Sequence, residues 1–263
     1  MSSMAASSGS PRAPNPWARK LDHFSRLSDS DRHHLDALIA RCVPVGAGAD
    51  IVADGAAPDY VHVIVEGYAC RYKILPDGRR QIMAYMIPGD ICDLHVFILK
   101  RMDHAIGAPS PCRVAYVPRE AILDMLGHRP ALARALWWAT LQDEAILREW
   151  LVNMGRRDAY ARIAHILCEL HARLRVVGLA DGEAFDLPVT QAELADTLGL
   201  TPVSVNRALQ RLRQEDLIAL RGRALTISDP RGLAAAAEFE PGYLHLDGEA
   251  GKGAGGQERE RAR

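Results

Sequence analysis

The sequence predicts an α+β fold with three successive parts: an antiparallel β-roll, a long helix, and a pair of short helices followed by a β-hairpin. Three observations support it. Short apolar runs separated by turn residues fill 44–118, an uninterrupted helical stretch covers 131–154, and two capped helical segments lie within 190–213. We divide the chain into a tail (1–16), a β-roll domain (17–130), a long helix (131–155), a C-terminal domain (156–235) and a largely disordered extension (236–263).

The β-roll prediction rests on short strand-like runs that follow one another closely. These runs are YVHVIVEG, YACRYKIL, PDGRRQIMAYMIPGD and CRVAYVP. The pairs Glu66-Gly67 and Asp77-Gly78 each separate alternating apolar runs, as the turns of β-hairpins do. So many short strands at close spacing indicate a small antiparallel barrel or roll.

The helix predicted from Ala131 to Met154 contains neither glycine nor proline and is about 36 Å long. Its apolar residues cover two faces, one with Leu132, Leu136, Ala139, Ile146 and Trp150 and the other with Leu141, Leu147, Leu151 and Met154. A helix that is apolar on two sides needs two partners. One is the β-roll, and the second is most simply the same helix of another copy, although both sides could also pack inside one chain. The expected homodimer interface includes Leu136, Leu147, Trp150, Leu151 and Met154.

Two short helices with strong capping signals follow. In VTQAELADTLG, Thr190 and Glu193 form a capping box, and Gly199 ends the helix. In LTPVSVNRALQRLR, Thr201 is a good N-cap and Pro202 falls at the first helical position. Two helices joined by such a short glycine-containing turn have the geometry of a helix-turn-helix.

The second of these helices has one apolar and one polar side. Its buried side is predicted by apolar residues at spacings of three and four: Val205, Ala208, Leu209 and Leu212. Its opposite side carries Val203 together with groups that can donate to phosphates or base edges: Asn206, Arg207, Gln210, Arg211 and Arg213.

The stretch EDLIALRGRALTIS predicts a β-hairpin with a basic tip, Arg221-Gly222-Arg223, as in the wing of a winged helix. Residues 201–223 hold five arginines against two acidic residues, whereas the whole chain has a net charge of −1. This near-neutral charge argues against a general nucleic-acid coat, so any contact with double-stranded DNA has to be local. The predicted DNA contacts are Thr190, Gln191, Thr201, Pro202, Val203, Ser204, Asn206, Arg207, Gln210, Arg211, Arg221 and Arg223.

Length and composition bound the remaining possibilities. The 263 residues, 48% of them hydrophobic, suffice for about two domains. No apolar run approaches the roughly 20 residues of a membrane span, and the polar N-terminus lacks a signal core, so we expect a cytoplasmic protein without membrane contact. The five cysteines form no CxxC pair and fit reduced thiols. Both tails, roughly 1–16 and 247–263, have a composition typical of disorder.

The sequence offers little support for an enzyme or for a metal site. The chain has no phosphate-cradling glycine-rich loop, nucleophile elbow or HExxH motif, so we predict no catalytic residues. His165, Cys168 and His171 recur every three residues on a predicted helix and could offer nitrogen and sulfur ligands. The apolar Ile166 and Leu167 beside them favour packing, and we predict no metal site.

The order of these parts resembles that of the Crp/Fnr superfamily of bacterial transcription regulators. The resemblance covers about residues 20–235 and is strongest in TQAELADTLGLTPVSVNRALQRL and LVNMGRRDAYARIAHILCEL, with a PGD turn at 88–90. It implies a cyclic-nucleotide-binding-like β-roll that senses a signal, a homodimer, and a two-fold symmetric operator. RNA polymerase is an expected partner, although no residue marks the contact. The alternative is a ligand-gated interaction module whose winged helix binds a protein.

The resemblance also indicates how bases are read. In the superfamily, the recognition helix uses a glutamate, a variable residue and an arginine along its first two turns. These positions fall on Val203, Asn206 and Arg207, so the arginine is kept and the glutamate is replaced by valine.

The sensing part departs from superfamily members that bind cyclic AMP. Those members carry a Gly-Glu pair after the PGD turn and an Arg-Ser pair roughly ten residues later. Here Asp93 stands for the glutamate, and Met102, Asp103 and His104 occupy the place of Arg-Ser, with Arg101 nearby. We assign the effector pocket to Asp93, Arg101, Asp103 and His104. An aspartate beside a bound phosphate would repel it, which argues against cyclic AMP.

Two other cofactors of the superfamily are also disfavoured. An iron–sulfur cluster needs four suitably placed cysteines, and none precedes Cys42. Haem could use His62, His95 or His104, but lone histidines on strands are usually structural. The effector is therefore left unidentified.

Overall fold

The computed structural model describes residues 15–246, except for the side chains of residues 96 and 97. The predicted tails therefore lie outside the described residues, apart from residues 15 and 16 at the end of the first. Helix α1 (Pro16–Phe24) starts at that point, with Asn15 as its N-cap, and helix α2 (Asp29–Leu38) begins with a capping box. Both helices pack against the β-roll through Trp17 and Leu35, which are fully buried.

The predicted β-roll is confirmed as two antiparallel sheets. Within the described residues its strands are β1 (Cys42–Val45), β2 (Asp50–Val52), β3 (Tyr60–Glu66), β4 (Ala69–Ile74), β5 (Arg80–Met86), β6 (Ala105–Gly107) and β7 (Cys112–Pro118). One sheet has the order β1-β7-β3 and the other β2-β6-β4-β5. Val63 and Val114 of the first sheet share one buried core with Ile106 of the second.

The two predicted hairpin turns differ in outcome. Asp77-Gly78 joins the paired strands β4 and β5, so that prediction is confirmed. The prediction for Glu66-Gly67 is wrong, because β3 pairs with β7 whereas β4 pairs with β5 and β6. The chain crosses between the sheets here, and Gly67 has a φ of 75°. A Cβ at Gly67 would lie 2.5 Å from the carbonyl oxygen of Pro111, so the crossing has no room for a side chain.

Two shorter helices, α3 (Val96–Leu99) and α4 (Arg119–His128), precede the predicted long helix, which is confirmed as α5 (Pro130–Arg156). Pro130 lies in the first turn, where its missing N–H breaks no helical hydrogen bond. Neither α5 nor any other helix within residues 15–246 is long and apolar enough to cross a bilayer.

The long helix has two apolar faces, as predicted. The first is buried in its own chain and includes Leu132, Leu136, Ile146 and Trp150. The second is exposed at the predicted Leu141, Leu147 and Leu151, with exposed fractions of 51%, 55% and 74%, whereas the predicted Met154 is half-buried. Trp137, which was not part of the prediction, is also exposed, at 65%. The assignment of Leu136 and Trp150 to the dimer interface is therefore corrected. Leu136 packs into the β-roll core, and the indole N–H of Trp150 donates to the buried Glu169.

The C-terminal domain is a winged helix-turn-helix, as predicted. Its elements are α6 (Ala159–Val176), β8 (Ala184–Asp186), α7 (Gln191–Leu198), α8 (Pro202–Gln214), β9 (Ile218–Arg221), β10 (Ala224–Ile227) and α9 (Pro230–Ala236). The predicted hairpin is the β9–β10 pair, and β8 adds a third strand in the order β8-β10-β9.

Residues 236–246, which we predicted to belong to a disordered extension, are ordered and packed. A 3₁₀ helix (Pro241–Leu244) lies against α5 and α6, and Leu244 is fully buried. The side-chain amide of Gln142 in α5 donates to the carbonyl oxygen of Leu244. The extension was given too early a start, because the segment holds the apolar Phe239, Tyr243, Leu244 and Leu246 and the composition typical of disorder begins only at about residue 247.

A buried charged network joins the β-roll to the C-terminal domain. The guanidinium of Arg173 in α6 donates to Asp90 at 2.7 Å, to Glu169 at 3.1 Å and to the carbonyl oxygen of Tyr85 at 2.8 Å. Asp90 is the aspartate of the PGD turn, and it also pairs with Lys20 of α1. The orientation of the winged helix is thus tied to the β-roll through groups that are shielded from water.

Candidate nucleic-acid interface and sensing domain

The helix-turn-helix is built by the capping signals of its own sequence. The hydroxyl of Thr190 accepts from the backbone N–H of Glu193, whose carboxylate accepts from the backbone N–H of Thr190. Helix α7 then ends at Gly199, which has a left-handed conformation with φ of 62°. The Thr201 hydroxyl accepts from the backbone N–H of Ser204 at the start of α8. These short-range bonds fix where α7 ends and where the recognition helix α8 begins.

The recognition helix buries one side and exposes the other, as the spacing predicted. Val205, Ala208, Leu209 and Leu212 are buried against α6 and α7. The outward residues are Val203, Asn206, Arg207, Gln210, Arg211 and Arg213, and all are exposed. Val203 is a solvent-exposed apolar residue, with 68% of its surface accessible. The exposed face thus combines hydrogen-bonding groups with one apolar contact near the helix N-terminus.

The arginines of α8 and of the β9–β10 hairpin fall into two groups, those with an intramolecular partner and those without one among the described residues. Arg211 donates to Glu215 at 2.8 Å and lies 4.1 Å above the ring of Tyr160, while Arg223 donates to Asp186 at 2.8 Å. Hydrogen bonds from Tyr160 and Arg211 lower the pKa of the Glu215 carboxyl. The exposed guanidiniums of Arg207, Arg213 and Arg221 have no hydrogen-bond or ion-pair partner within residues 15–246. These three are free to bind an anionic partner.

The remaining predicted contacts cluster where the two helices of the motif begin. Thr190, Gln191, Thr201 and Pro202 are exposed, and Ser204 is half-buried. Backbone N–H groups at helix N-termini attract phosphate through the helix dipole and their free donors. The cluster therefore offers a phosphate-binding edge beside the outward face of α8.

Residues of β5 in the β-roll contact helix α7 of the helix-turn-helix, and the sequence analysis did not predict these contacts. The hydroxyl of Tyr85 in β5 lies 2.6 Å from that of Thr197 in α7. Next to it, Arg80 donates to Asp196 at 2.8 Å, and Gln81 donates to the carbonyl oxygen of Thr197. These contacts join residues more than 110 positions apart, so no local pattern could reveal them.

Comparison with known proteins fits this architecture. A cyclic nucleotide-binding domain family matches residues 42–129, and a Crp-like helix-turn-helix domain family matches residues 161–236. The nitrogen fixation regulation protein FixK of Azorhizobium caulinodans is 31% identical over 210 residues, which is 80% of this chain and 84% of that protein. The chain belongs to the Crp/Fnr family of transcription regulators.

Further Crp/Fnr relatives show the same likeness. The transcriptional activator protein FnrL of Cereibacter sphaeroides is 29% identical over 67% of this chain and 72% of FnrL. The solved structure of FixK2 from Bradyrhizobium japonicum superposes with a TM-score of 0.67 at 28% identity, covering 74% of this chain and 96% of FixK2. These relatives are named as regulators or activators, not as enzymes. The chain is a DNA-binding transcription regulator of the Crp/Fnr type.

The residues predicted to form the effector pocket of this Crp/Fnr chain differ in burial. Asp93 is fully buried, where it accepts from the backbone N–H of His62 at 2.7 Å and pairs with the His62 ring at 2.6 Å. Asp103 is exposed and pairs with the His104 ring, and Arg101, which is also exposed, donates to a loop carbonyl. The assignment of Asp93 is corrected because its carboxylate is paired with His62 in the interior.

A cavity of about 500 Å³ lies elsewhere, between the β-roll and the first half of α5. Its lining is largely apolar and includes Ile91, Leu94, Ile98, Leu126, Leu136 and Trp137. The charged groups at its edge are already paired, Lys20 with Asp90 and Arg71 with Asp143. Its volume is typical of small-molecule sites, which span about 300–1,000 Å³. The lining residues come from separate elements, so no local sequence pattern could predict this cavity.

The histidine and cysteine series on α6 is engaged in packing. The Nε2 atom of His165 lies 3.1 Å from the Tyr243 hydroxyl, and that of His171 lies 3.0 Å from the carbonyl oxygen of Gly182. Burial raises the pKa of the Cys168 thiol to about 12. Across the part of the chain that the structure describes, no three His, Cys, Asp or Glu side chains are grouped to hold a metal ion.

Proposed function

We propose that this regulator acts as a homodimer held together by the exposed face of α5. Trp137, Leu141, Leu147 and Leu151 each leave more than half of their surface accessible. Exposed apolar side chains on one helix face mark interaction sites in soluble proteins. Glu144 and Arg148 pair one turn apart between these residues, so the face also carries one ion pair. A parallel copy of α5 would cover the apolar face and place two recognition helices about a two-fold axis.

Charged substitutions test this interface. We expect Leu147→Glu with Leu151→Glu to give folded monomers by light scattering, because four buried carboxylates would face one another. Leu123→Glu is the matched control, since Leu123 is also exposed (46%) but lies on α4, and it should stay dimeric. A dimer that survives the double substitution would place the interface elsewhere.

We further propose that α8 enters the major groove of DNA by its N-terminal end, with Arg207 bound to a guanine. The supporting observation is the exposed guanidinium of Arg207, which has no partner within the described chain, beside Asn206 and Val203. Arginine can hold guanine O6 and N7 together, asparagine can pair with adenine, and valine methyls can contact the thymine methyl. Each half-site should keep a G·C pair for Arg207, while the pair otherwise read by a glutamate shifts toward thymine.

The other predicted contacts are assigned to the DNA backbone. Thr190, Gln191, Thr201, Ser204 and the first turn at Pro202 would hold phosphates, together with Gln210, Arg211, Arg221 and Arg223. Arg211 and Arg223 would exchange an intramolecular carboxylate for a phosphate. Half-sites bound by a two-fold dimer should lie about one helical turn apart.

Selection of bound sequences from a random pool tests the proposal. Arg207→Ala should weaken operator binding by about 1–3 kcal/mol and relax its G·C position. Val203→Glu should move the neighbouring preference from thymine to cytosine. Arg213→Ala, an exposed arginine near the far end of α8, is the control that should leave the selected bases unchanged. An unchanged operator affinity in Arg207→Ala would refute this mode of reading.

Salt dependence separates DNA binding from the alternative, a winged helix that binds a protein. Binding to DNA should weaken steeply with salt, with a log–log slope of about −0.9 for each neutralised phosphate. A protein partner at the same arginines would give a shallow slope.

We also propose that the protein acts in the cytoplasm, where its dimer would contact RNA polymerase at promoters.

A further inference from the structure

Two neighbouring histidines of the sensing domain have an unpartnered nitrogen each. The rings of His95 and His104 lie with centroids 5.7 Å apart. The Nε2 atom of each ring is buried and has no hydrogen-bond partner among the described residues. Unpartnered buried polar atoms are destabilising and few in native proteins, so two of them on adjacent rings call for a physical explanation.

The ring of His104 is held in a defined orientation by a carboxylate. Its Nδ1 atom lies 2.6 Å from Oδ1 of Asp103, and only 11% of the His104 side chain is exposed. A carboxylate acceptor at Nδ1 assigns the proton of the neutral tautomer to that atom and leaves the lone pair on Nε2. Metal-ligating histidines commonly have such a carboxylate behind them.

The ring of His95 lies beside a cavity and an ion pair. His95 and Arg71 both line the cavity of about 500 Å³, and the Arg71 charge is balanced by the ion pair with Asp143. The cavity supplies an entry path for a small ion.

We propose that His95 and His104 bind one transition-metal ion of the zinc type through their Nε2 atoms. With metal–nitrogen bonds of about 2.0–2.1 Å, each ring centre would lie roughly 3.2 Å from the ion. Two such rings are about 5.2 Å apart at a tetrahedral angle and about 6.4 Å apart when opposed, and the separation of 5.7 Å lies between these limits.

The proposed metal site would have coordination positions that no protein side chain fills, unlike a structural zinc site. Among residues 15–246 no third His, Cys, Asp or Glu completes the set, so solvent or a small ligand from the cavity would occupy the remaining positions. Imidazole ligands suit Zn²⁺, Cu²⁺ and Ni²⁺. The ion would connect the segment that leads into α3 with the start of β6, two elements on opposite sides of the loop at 100–103.

The test is titration of metal-free, untagged protein with Zn²⁺ alone, followed by calorimetry, and with Co²⁺, followed by its visible absorption. We expect one ion per chain with micromolar or tighter affinity and a cobalt spectrum typical of nitrogen ligation. His95→Asn and His104→Asn should each abolish this binding. Asp103→Asn should weaken it by about 10–100-fold, because the carboxylate orients the ligating ring.

A surface histidine provides the matched control. His128 also has its Nδ1 beside a carboxylate, that of Asp124 at 2.9 Å, but its side chain is 77% exposed. His128→Asn should leave the bound equivalent unchanged. Circular dichroism on every variant confirms folding, and none of these measurements requires DNA. The proposal is overturned if Zn²⁺ does not bind, in which case a water bridges the two rings, or if the Asp103→Asn variant binds as wild type.

Discussion

The reading end and the sensing end of this molecule use their charged side chains in opposite ways. On the winged helix, three exposed arginines have no partner within the described residues: Arg207, Arg213 and Arg221. In the β-roll and α6, three cations sit largely buried in ion pairs: Lys20, Arg71 and Arg173. The exposed set can exchange water for phosphates, whereas the buried set stabilises the fold, with Arg173 joining the C-terminal domain to the β-roll. Substitution should therefore separate loss of binding from loss of stability.

The largest expected effect is at the buried end. Arg173→Ala would leave the buried Glu169 without its cationic partner and the buried Asp90 with Lys20 alone. Removing one member of a buried ion pair costs about 3–5 kcal/mol. The free energy of unfolding, measured by urea denaturation, should fall by that amount. Arg213→Ala, in which an exposed arginine is lost, should change it by less than about 0.5 kcal/mol. Equal effects of the two substitutions would remove the distinction between the ends.

A second expected effect is a loss of stability in mild acid through His165. Burial, and then the charge of Arg157, lower the pKa of His165 to about 4 from an ordinary value of 6.5. Between pH 6.5 and 4 the unfolded chain therefore binds more protons at this site than the folded chain. Its contribution to stability is complete above pH 6.5 and is lost as the pH falls toward 4, at up to about 1.4 kcal/mol per pH unit.

Unfolding measured across this pH range checks the assignment. His165→Gln should flatten the pH dependence relative to wild type, because the variant side chain does not titrate. His128→Asn, at an exposed histidine, should keep the wild-type slope. If the His165 variant retains the full slope, another group is responsible.

The same contrast explains what the sequence could predict. Helix α8 was predictable because its cap at Thr201, its buried spacing and its exposed arginines are all local signals. The pairing of Asp93 with His62 joins positions 31 residues apart, so Asp93 could not be identified as buried and engaged. The long helix shows both cases: its two faces were predicted, but Leu136 and Trp150, which lie on the first face, were also assigned to the dimer interface. Periodicity identifies a face and does not say which neighbour covers it.

A smaller effect on the free energy of unfolding is expected from Thr190, a predicted DNA contact that also caps a helix. Thr190 is exposed and a predicted DNA contact, yet its hydroxyl caps α7 at 3.1 Å from the N–H of Glu193. Thr190→Ala should lower the free energy of unfolding by about 0.5–2 kcal/mol, the usual cost of a lost N-cap. Thr190→Ser keeps the capping hydroxyl and should restore most of that stability. If both variants have the same free energy of unfolding, the hydroxyl cap at Thr190 does not contribute to stability.

The smallest expected effect is that of cyclic AMP, which should change neither melting temperature nor operator affinity at millimolar concentration. A cyclic phosphate needs a cation that is free to meet it. At the predicted pocket, the Asp93 carboxylate is bound to His62 and Arg101 donates to a loop carbonyl, while Asp103 adds negative charge at the surface. A ligand at 100 times its dissociation constant would add about 2.7 kcal/mol of stability. That would raise the melting temperature by several degrees.

Operator DNA provides the positive control in the same melting assay, and 5′-AMP provides the negative one. A shift with cyclic AMP but not with 5′-AMP would mean that the buried Asp93–His62 pair opens to admit the ligand, and the sensing end would then be a site that rearranges on binding.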